Sequence, residues 1–177
     1  MAAVNRDGTP LEIERKFLIR MPDRALLDKL CQSRWQITQF YAQGGARGRR
    51  IDDGAAVTYV ETKKEYVSDL VRVEAEREIT KEEYEALLAL REPRRRVLEK
   101  TRWRIPFEGQ LLEVDVFPFW DDRAFCEVEL ESEDQEVNLP PWLTVIREVT
   151  GERRYNNRSL ALRVPREPIG SRSAVNS

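Results

Sequence analysis

Three side chains near the start of the chain set the chemistry to look for. In LEIERKFLI, Glu12, Glu14 and Lys16 stand at alternate positions, so an extended backbone aims all three to one side. The same spacing returns down the chain. Arg47 and Arg49 share it, as do Glu61 and Lys63, then Arg72, Glu74, Glu76 and Glu78. Lys100, Arg102 and Arg104 follow, then Glu113 and Asp115, and last Glu127, Glu129 and Glu131. Any one of these strands reads as the wet face of a sheet. Several are nearly single-signed, however, and like charges placed opposite one another are destabilising unless something bridges them. A polyanion with divalent metal ions does so: carboxylates take the metal, and guanidinium and ammonium groups take the anion's oxygens.

Composition narrows the chemistry further. The 177-residue chain is 41% hydrophobic and 35% charged, with a net charge of −2, which suits one globular domain and argues against a nucleic-acid binder held by bulk charge. It has no histidine, so a metal here is a hard one on oxygen ligands, and a general base is not an imidazole. Cys31 and Cys126 have no metal-type spacing; with no long apolar run and no signal pattern, the expectation is a reduced, cytoplasmic protein with no membrane partner.

The elements that must position these residues are mostly strands. Strand-like runs fall at about 11–19, 46–51, 56–65, 70–79, 97–106, 110–117 and 124–131. Helical patterns fall near 22–34, near 81–91 behind the capping box Thr80-x-x-Glu83, and near 153–162. Residues 1–9 read as a flexible lead-in, 10–164 as the domain, and 165–177 as a polar, disordered tail. Charged faces on one side and apolar faces such as Leu112, Val114 and Val116 on the other suggest a sheet curled into a barrel, its lumen polar and its helices outside.

These motifs, in this order, resemble the CYTH superfamily of triphosphate tunnel metalloenzymes, and most of all its small bacterial tripolyphosphatases. The resemblance runs over about residues 11–162: Glu12-x-Glu14-x-Lys16, then ARGRRI, VETK, RVEAEREI, EKTRWRI, LLEVDVF, CEVELES and EVTGERRYNN. It implies an α+β, mainly β fold: an eight-stranded antiparallel closed barrel, the triphosphate tunnel, with helices packed outside. It implies that Lys16, Arg47, Arg49, Lys63, Arg72, Lys100 and Arg102 form the catalytic, phosphate-holding set. Glu12, Glu14, Glu76, Asp115, Glu127 and Glu129 are then the ligands of one or two Mg²⁺ or Mn²⁺ ions, with Glu74 in phase to replace or assist Glu76. Arg154 and Asn157 on the closing segment become further substrate contacts.

The reaction implied is metal-dependent hydrolysis of a triphosphate, first of all inorganic tripolyphosphate to diphosphate and phosphate. Class IV adenylate cyclase, thiamine or nucleoside triphosphatase and a non-catalytic polyphosphate binder remain alternatives, as does a structural interaction domain whose charges all face outward. Monomer and homodimer both remain open.

Several residues have quieter readings. Tyr41 in QFYAQ reads first as structural, although a phenol at the tunnel wall also reaches phosphate or water. Arg94, Arg95 and Arg96 read as a solvated loop, Trp103 as pointing out of the tunnel under a helix, and Cys126 as a buried thiol. Asp52-Asp53-Gly54 reads as a hairpin turn and NLPPW at 138–142 as a rigid connector.

Overall fold

A computed structural model describes residues 11–170; residues 1–10 and 171–177, and the side chains of Leu11, Glu65 and Arg72, lie outside the described set. The described residues form nine strands: β1 (Leu11–Arg20), β2 (Ser33–Tyr41), β3 (Ala46–Asp52), β4 (Val57–Tyr66), β5 (Val71–Ile79), β6 (Leu98–Phe107), β7 (Gln110–Val116), β8 (Arg123–Leu130) and β9 (Val145–Glu148). Helix α1 is Arg24–Leu30, α2 is Lys81–Ala89, and a 3₁₀ turn, Arg153–Tyr155, leads into the short α3, Asn157–Leu160.

The strands run in the order β5-β4-β3-β2-β6-β7-β8-β1-β9, every pairing antiparallel. β1 also pairs with β5, which brings the sheet round on itself through eight strands. That seam spans only three residue pairs, Leu11↔Val73 to Ile13↔Val71, and farther along β1 the neighbour is β9. The expected ring is therefore present in strand number and pairing, but it is incompletely closed.

The parity of β1 sets the inside. Glu12, Glu14, Lys16 and Leu18 face inward, while Ile13, Phe17 and Ile19 join a core that includes Trp103, Val114, Cys126 and Val128. Trp103 sits under α1, its Nε1 donating to Asp28 Oδ1 at 2.7 Å. α2 covers another apolar patch, in which Phe40 meets Tyr84 edge-on. Thr80 caps α2 by accepting from the Glu83 N–H, as the capping box predicts.

A third core lies partly inside the barrel. Leu18, Leu98, Phe117 and Phe125 pack with Tyr155 and Leu160 of the closing segment, which fills one end of the lumen with apolar side chains. Residues 165–170, expected as disordered tail, lie on the barrel: Arg123 donates to the Glu167 carbonyl, Arg20 to those of Ile169 and Gly170.

β2 was not expected. Sequence reading extends the first helix to 34, but α1 ends at Leu30 and the chain turns into SRWQITQFY. From Ile37 onward both faces of β2 are largely buried, so it lacks the apolar–polar alternation that exposes a strand.

Gly48, between Arg47 and Arg49, has its α-carbon against the Phe40 ring, and a Cβ there would run into that ring. Gly48→Ala should lower stability by about 1–3 kcal/mol, measured by urea unfolding, because Phe40 is already locked against Tyr84.

Candidate active site

One cavity of about 940 Å³ occupies the charged part of the lumen. Its acidic wall is built by β1 and β8. Antiparallel register sets Glu14 opposite Glu129 and Lys16 opposite Glu127, all on the inner face. Arg47, Arg49, Thr62 and Lys64 of β3 and β4 form the facing wall, with Glu74 and Glu76 of β5 behind them. β6 contributes Arg102 and β7 contributes Glu113. The closing segment completes the wall with Thr150, Arg153, Asn157 and Arg158.

The cations are held by short contacts that leave them facing the cavity. Lys16 Nζ donates to the Tyr155 carbonyl at 2.9 Å, stands 3.4 Å from Glu127 and lies over the Phe125 ring. Arg49 pairs with Glu76 at 2.8 Å, and Arg47 with Glu74 at 3.3 Å; the Nε of each arginine is buried without a partner. Burial, together with the neighbouring Arg47 charge, lowers Arg49 to about 10. Lys64 bonds Glu12 at 2.8 Å and approaches Glu74 at 3.7 Å.

The carboxylates divide into paired and unpaired groups. Burial pushes Glu12 up, but Lys64 and a hydrogen bond with Glu74 more than offset it and leave Glu12 at about 2. Glu74 is pushed up to about 7 by burial and by Glu12. Burial raises Glu127 too, yet Lys16 and Arg102 bring it below the ordinary value. The Glu14 carboxylate has no hydrogen bond or ion pair among the described residues; burial, then Glu127 and Glu12, push it up to about 8. Glu129 is likewise unpaired and is raised by burial and by Glu12.

This unpaired acidic side fits a divalent ion in charge and in donor type. Two carboxylates directly opposite in register, neither bonded to a cation among the described residues, are what a hard oxygen-seeking ion relieves. Among the described residues no three carboxylates are already gathered at metal spacing, so the side chains would draw in around an ion.

The sequence-derived residues fall into three groups. Glu12, Glu14, Lys16, Tyr41, Arg47, Arg49, Glu74, Glu76, Arg102, Glu127, Glu129 and Asn157 line the cavity. Asp115 and Lys100 do not: they lie behind the wall, where Asp115 accepts from Lys100 at 2.7 Å and from both Nε and Nη2 of Arg102 at 2.7 and 2.8 Å. Asp115 is thus a buried anchor for two cations, off the cavity lining. Lys63 and Arg154 also stand elsewhere. Lys63 is exposed on the outer face opposite Ala46 and Ala75, and Arg154 pairs with Glu152 and Glu167. The Arg72 side chain lies outside the described residues.

Lys64, Thr62, Glu113 and Arg158 take cavity positions that sequence reading did not assign. A register count would have found Lys64. Asp52 faces Val57 across the DDG turn, so odd residues of β3 face even residues of β4: Arg47 faces Thr62, and the next inward residue is Lys64. Lys64→Ala should therefore lower turnover of a bound polyanion by roughly 10²-fold, with Lys63→Ala within about threefold of the parent; steady-state kinetics checks the pair.

The architecture is a near-closed antiparallel barrel whose lumen sets cations against carboxylates. Comparison with known proteins gives that architecture a family. The CYTH domain profile matches residues 10–164, and the chain belongs to this family. It is 33% identical over 152 residues to an inorganic triphosphatase of Acetivibrio thermocellus, covering 84% of this chain and 92% of that protein. It is 42% identical over 101 residues to an inorganic triphosphatase of Nitrosomonas europaea, a match that spans 54% of this chain and 64% of the relative. The solved structure of the inorganic triphosphatase NE1496 superposes with a TM-score of 0.52 at 32% identity, over 87% of this chain and 96% of that one.

Proposed function

We infer that this chain is a metal-dependent hydrolase that cleaves inorganic tripolyphosphate to diphosphate and phosphate. One observation carries the reading: Arg47, Arg49, Lys64 and Arg102 line the same cavity as the unpaired carboxylates of Glu14 and Glu129. Relatives named inorganic triphosphatase support the substrate class.

Phosphoryl transfer asks a protein mainly for positioning and charge. Arg47 and Arg49 line the cavity and Lys16 is fixed by Tyr155, so these groups would hold phosphate oxygens. Arg102, clamped by Asp115, neutralises charge on the departing diphosphate. Glu12, Glu14, Glu127 and Glu129 would hold Mg²⁺ or Mn²⁺, which supplies Lewis-acid charge neutralisation and a more acidic water. Water would attack the terminal phosphorus, the anhydride bond to the bridging oxygen would break with its electron pair leaving on diphosphate, and a carboxylate of the acidic wall would take the water's proton.

The test is to incubate the protein with tripolyphosphate, ATP and thiamine triphosphate, each with Mg²⁺ or Mn²⁺, and to quantify phosphate, diphosphate and cyclic AMP. Metal-dependent cleavage of tripolyphosphate with slow ATP turnover is the expected result. Cyclic AMP from ATP, or no turnover of any of the three, would overturn it.

A further inference from the structure

We propose that an arginine rim beside the cavity is a docking surface for linear polyphosphate longer than the triphosphate held inside. The rim joins two stretches that are far apart in sequence. Residues 91–96 and 152–163 together carry eight arginines against two glutamates, in a chain whose net charge is −2. Glu92 ties the stretches together through Arg95 at 2.5 Å and Arg158 at 2.6 Å, and the Arg96 N–H donates to the Ala161 carbonyl at 2.8 Å. Reading the triplet Arg94–Arg96 as a lone solvated loop missed this second stretch.

Four of the other arginines are free to bind. Arg94, Arg96, Arg153 and Arg163 are exposed, and their guanidinium groups have no hydrogen bond or ion pair among the described residues. Arg153 also lines the cavity, so the rim is continuous with the anion-binding interior. Unrelieved like charge of this kind matches a polyanion. Single-stranded nucleic acid is the poorer match, because binders of that class offer aromatic faces to the bases. The only aromatic side chain in the two stretches is Tyr155, which is fully buried.

The proposal rests on the reading of the cavity as a triphosphate site, but its test reads binding separately from turnover. The full chain and the variant Arg94→Gln/Arg96→Gln/Arg163→Gln are titrated against fluorescently labelled long-chain polyphosphate, and against single-stranded RNA of matched length. Hydrolysis of tripolyphosphate is followed in parallel. The expected result is a loss of about tenfold or more in polyphosphate affinity, and a salt slope smaller by roughly two, since each lost phosphate contact removes about 0.7. Tripolyphosphate hydrolysis should stay within about twofold, because none of the three side chains reaches the cavity. Unchanged polyphosphate binding in the variant would overturn the rim, as would RNA binding as tight as polyphosphate. Rim-dependent binding without tripolyphosphate cleavage would uphold the rim and overturn the proposed hydrolysis instead.

Discussion

Glu14→Gln should cut metal-dependent turnover by roughly 10²–10³-fold and, at the same time, raise the melting temperature of the metal-free protein. The two effects have opposite signs because they come from the same unpaired charge. Glu14 faces Glu129 across the β1–β8 register, has Glu127 nearby, and no cation bonds to it. Burial and these neighbours push its carboxyl up from 4.5 to about 8. A carboxyl raised on folding contributes fully below its unfolded value, and the contribution is lost as pH rises through the folded value. Metal-free parent protein should therefore lose stability steadily between about pH 4.5 and 8, whereas the glutamine variant, with nothing to ionise there, should show a flatter profile. Added Mg²⁺ should then raise the parent's melting temperature more than the variant's, because ion binding to the folded state is linked to stability. Thermal melts in chelator and in Mg²⁺ across that pH range, alongside initial rates, make the check. A variant that keeps a tenth of the activity, or melts lower without metal, removes Glu14 from the site.

Period-two charge placement made the inner face legible before any coordinates. Glu12, Glu14 and Lys16 could share a face only if the stretch was a strand, and the apolar partners Ile13 and Phe17 then had to face out, as they do. Arg47 with Arg49, and Glu127 with Glu129, followed by the same parity. What parity cannot supply is depth. Asp115 and Glu113 alternate identically along β7, yet Glu113 lines the cavity and Asp115 lies behind it between two cations. Nor does parity choose between neighbours when both are charged, which is why Lys63 was assigned in place of Lys64. The closing segment was legible as a helical pattern near 153–162, but the plug it forms was not. Filling the lumen takes Leu18, Leu98 and Phe125, whose strands meet only in the folded barrel.

Asp115→Asn should destabilise the protein by roughly 3–5 kcal/mol, a far larger loss than an exposed metal ligand would give. Burial by itself would raise the Asp115 carboxyl, but the Arg102 guanidinium and the Lys100 ammonium hold it well below the usual carboxylate range. A carboxyl depressed on folding contributes stability above its unfolded value, so this contribution is present at neutral pH and is lost only in strong acid. The asparagine leaves two cations in the wall without their shared anion. Burial already brings Lys100 down to about 8, with Arg102 adding to that, so Lys100 would shed its proton before Arg102 does. Removing charge from both partners tests the cause. Lys100→Met/Asp115→Asn should recover part of the loss, because one of the stranded cations is gone and a linear apolar chain fills its place. Chemical denaturation of parent, single and double variants gives the coupling directly. If Asp115→Asn melts like the parent but needs more Mg²⁺ for turnover, Asp115 is a metal ligand after all and the anchor role fails.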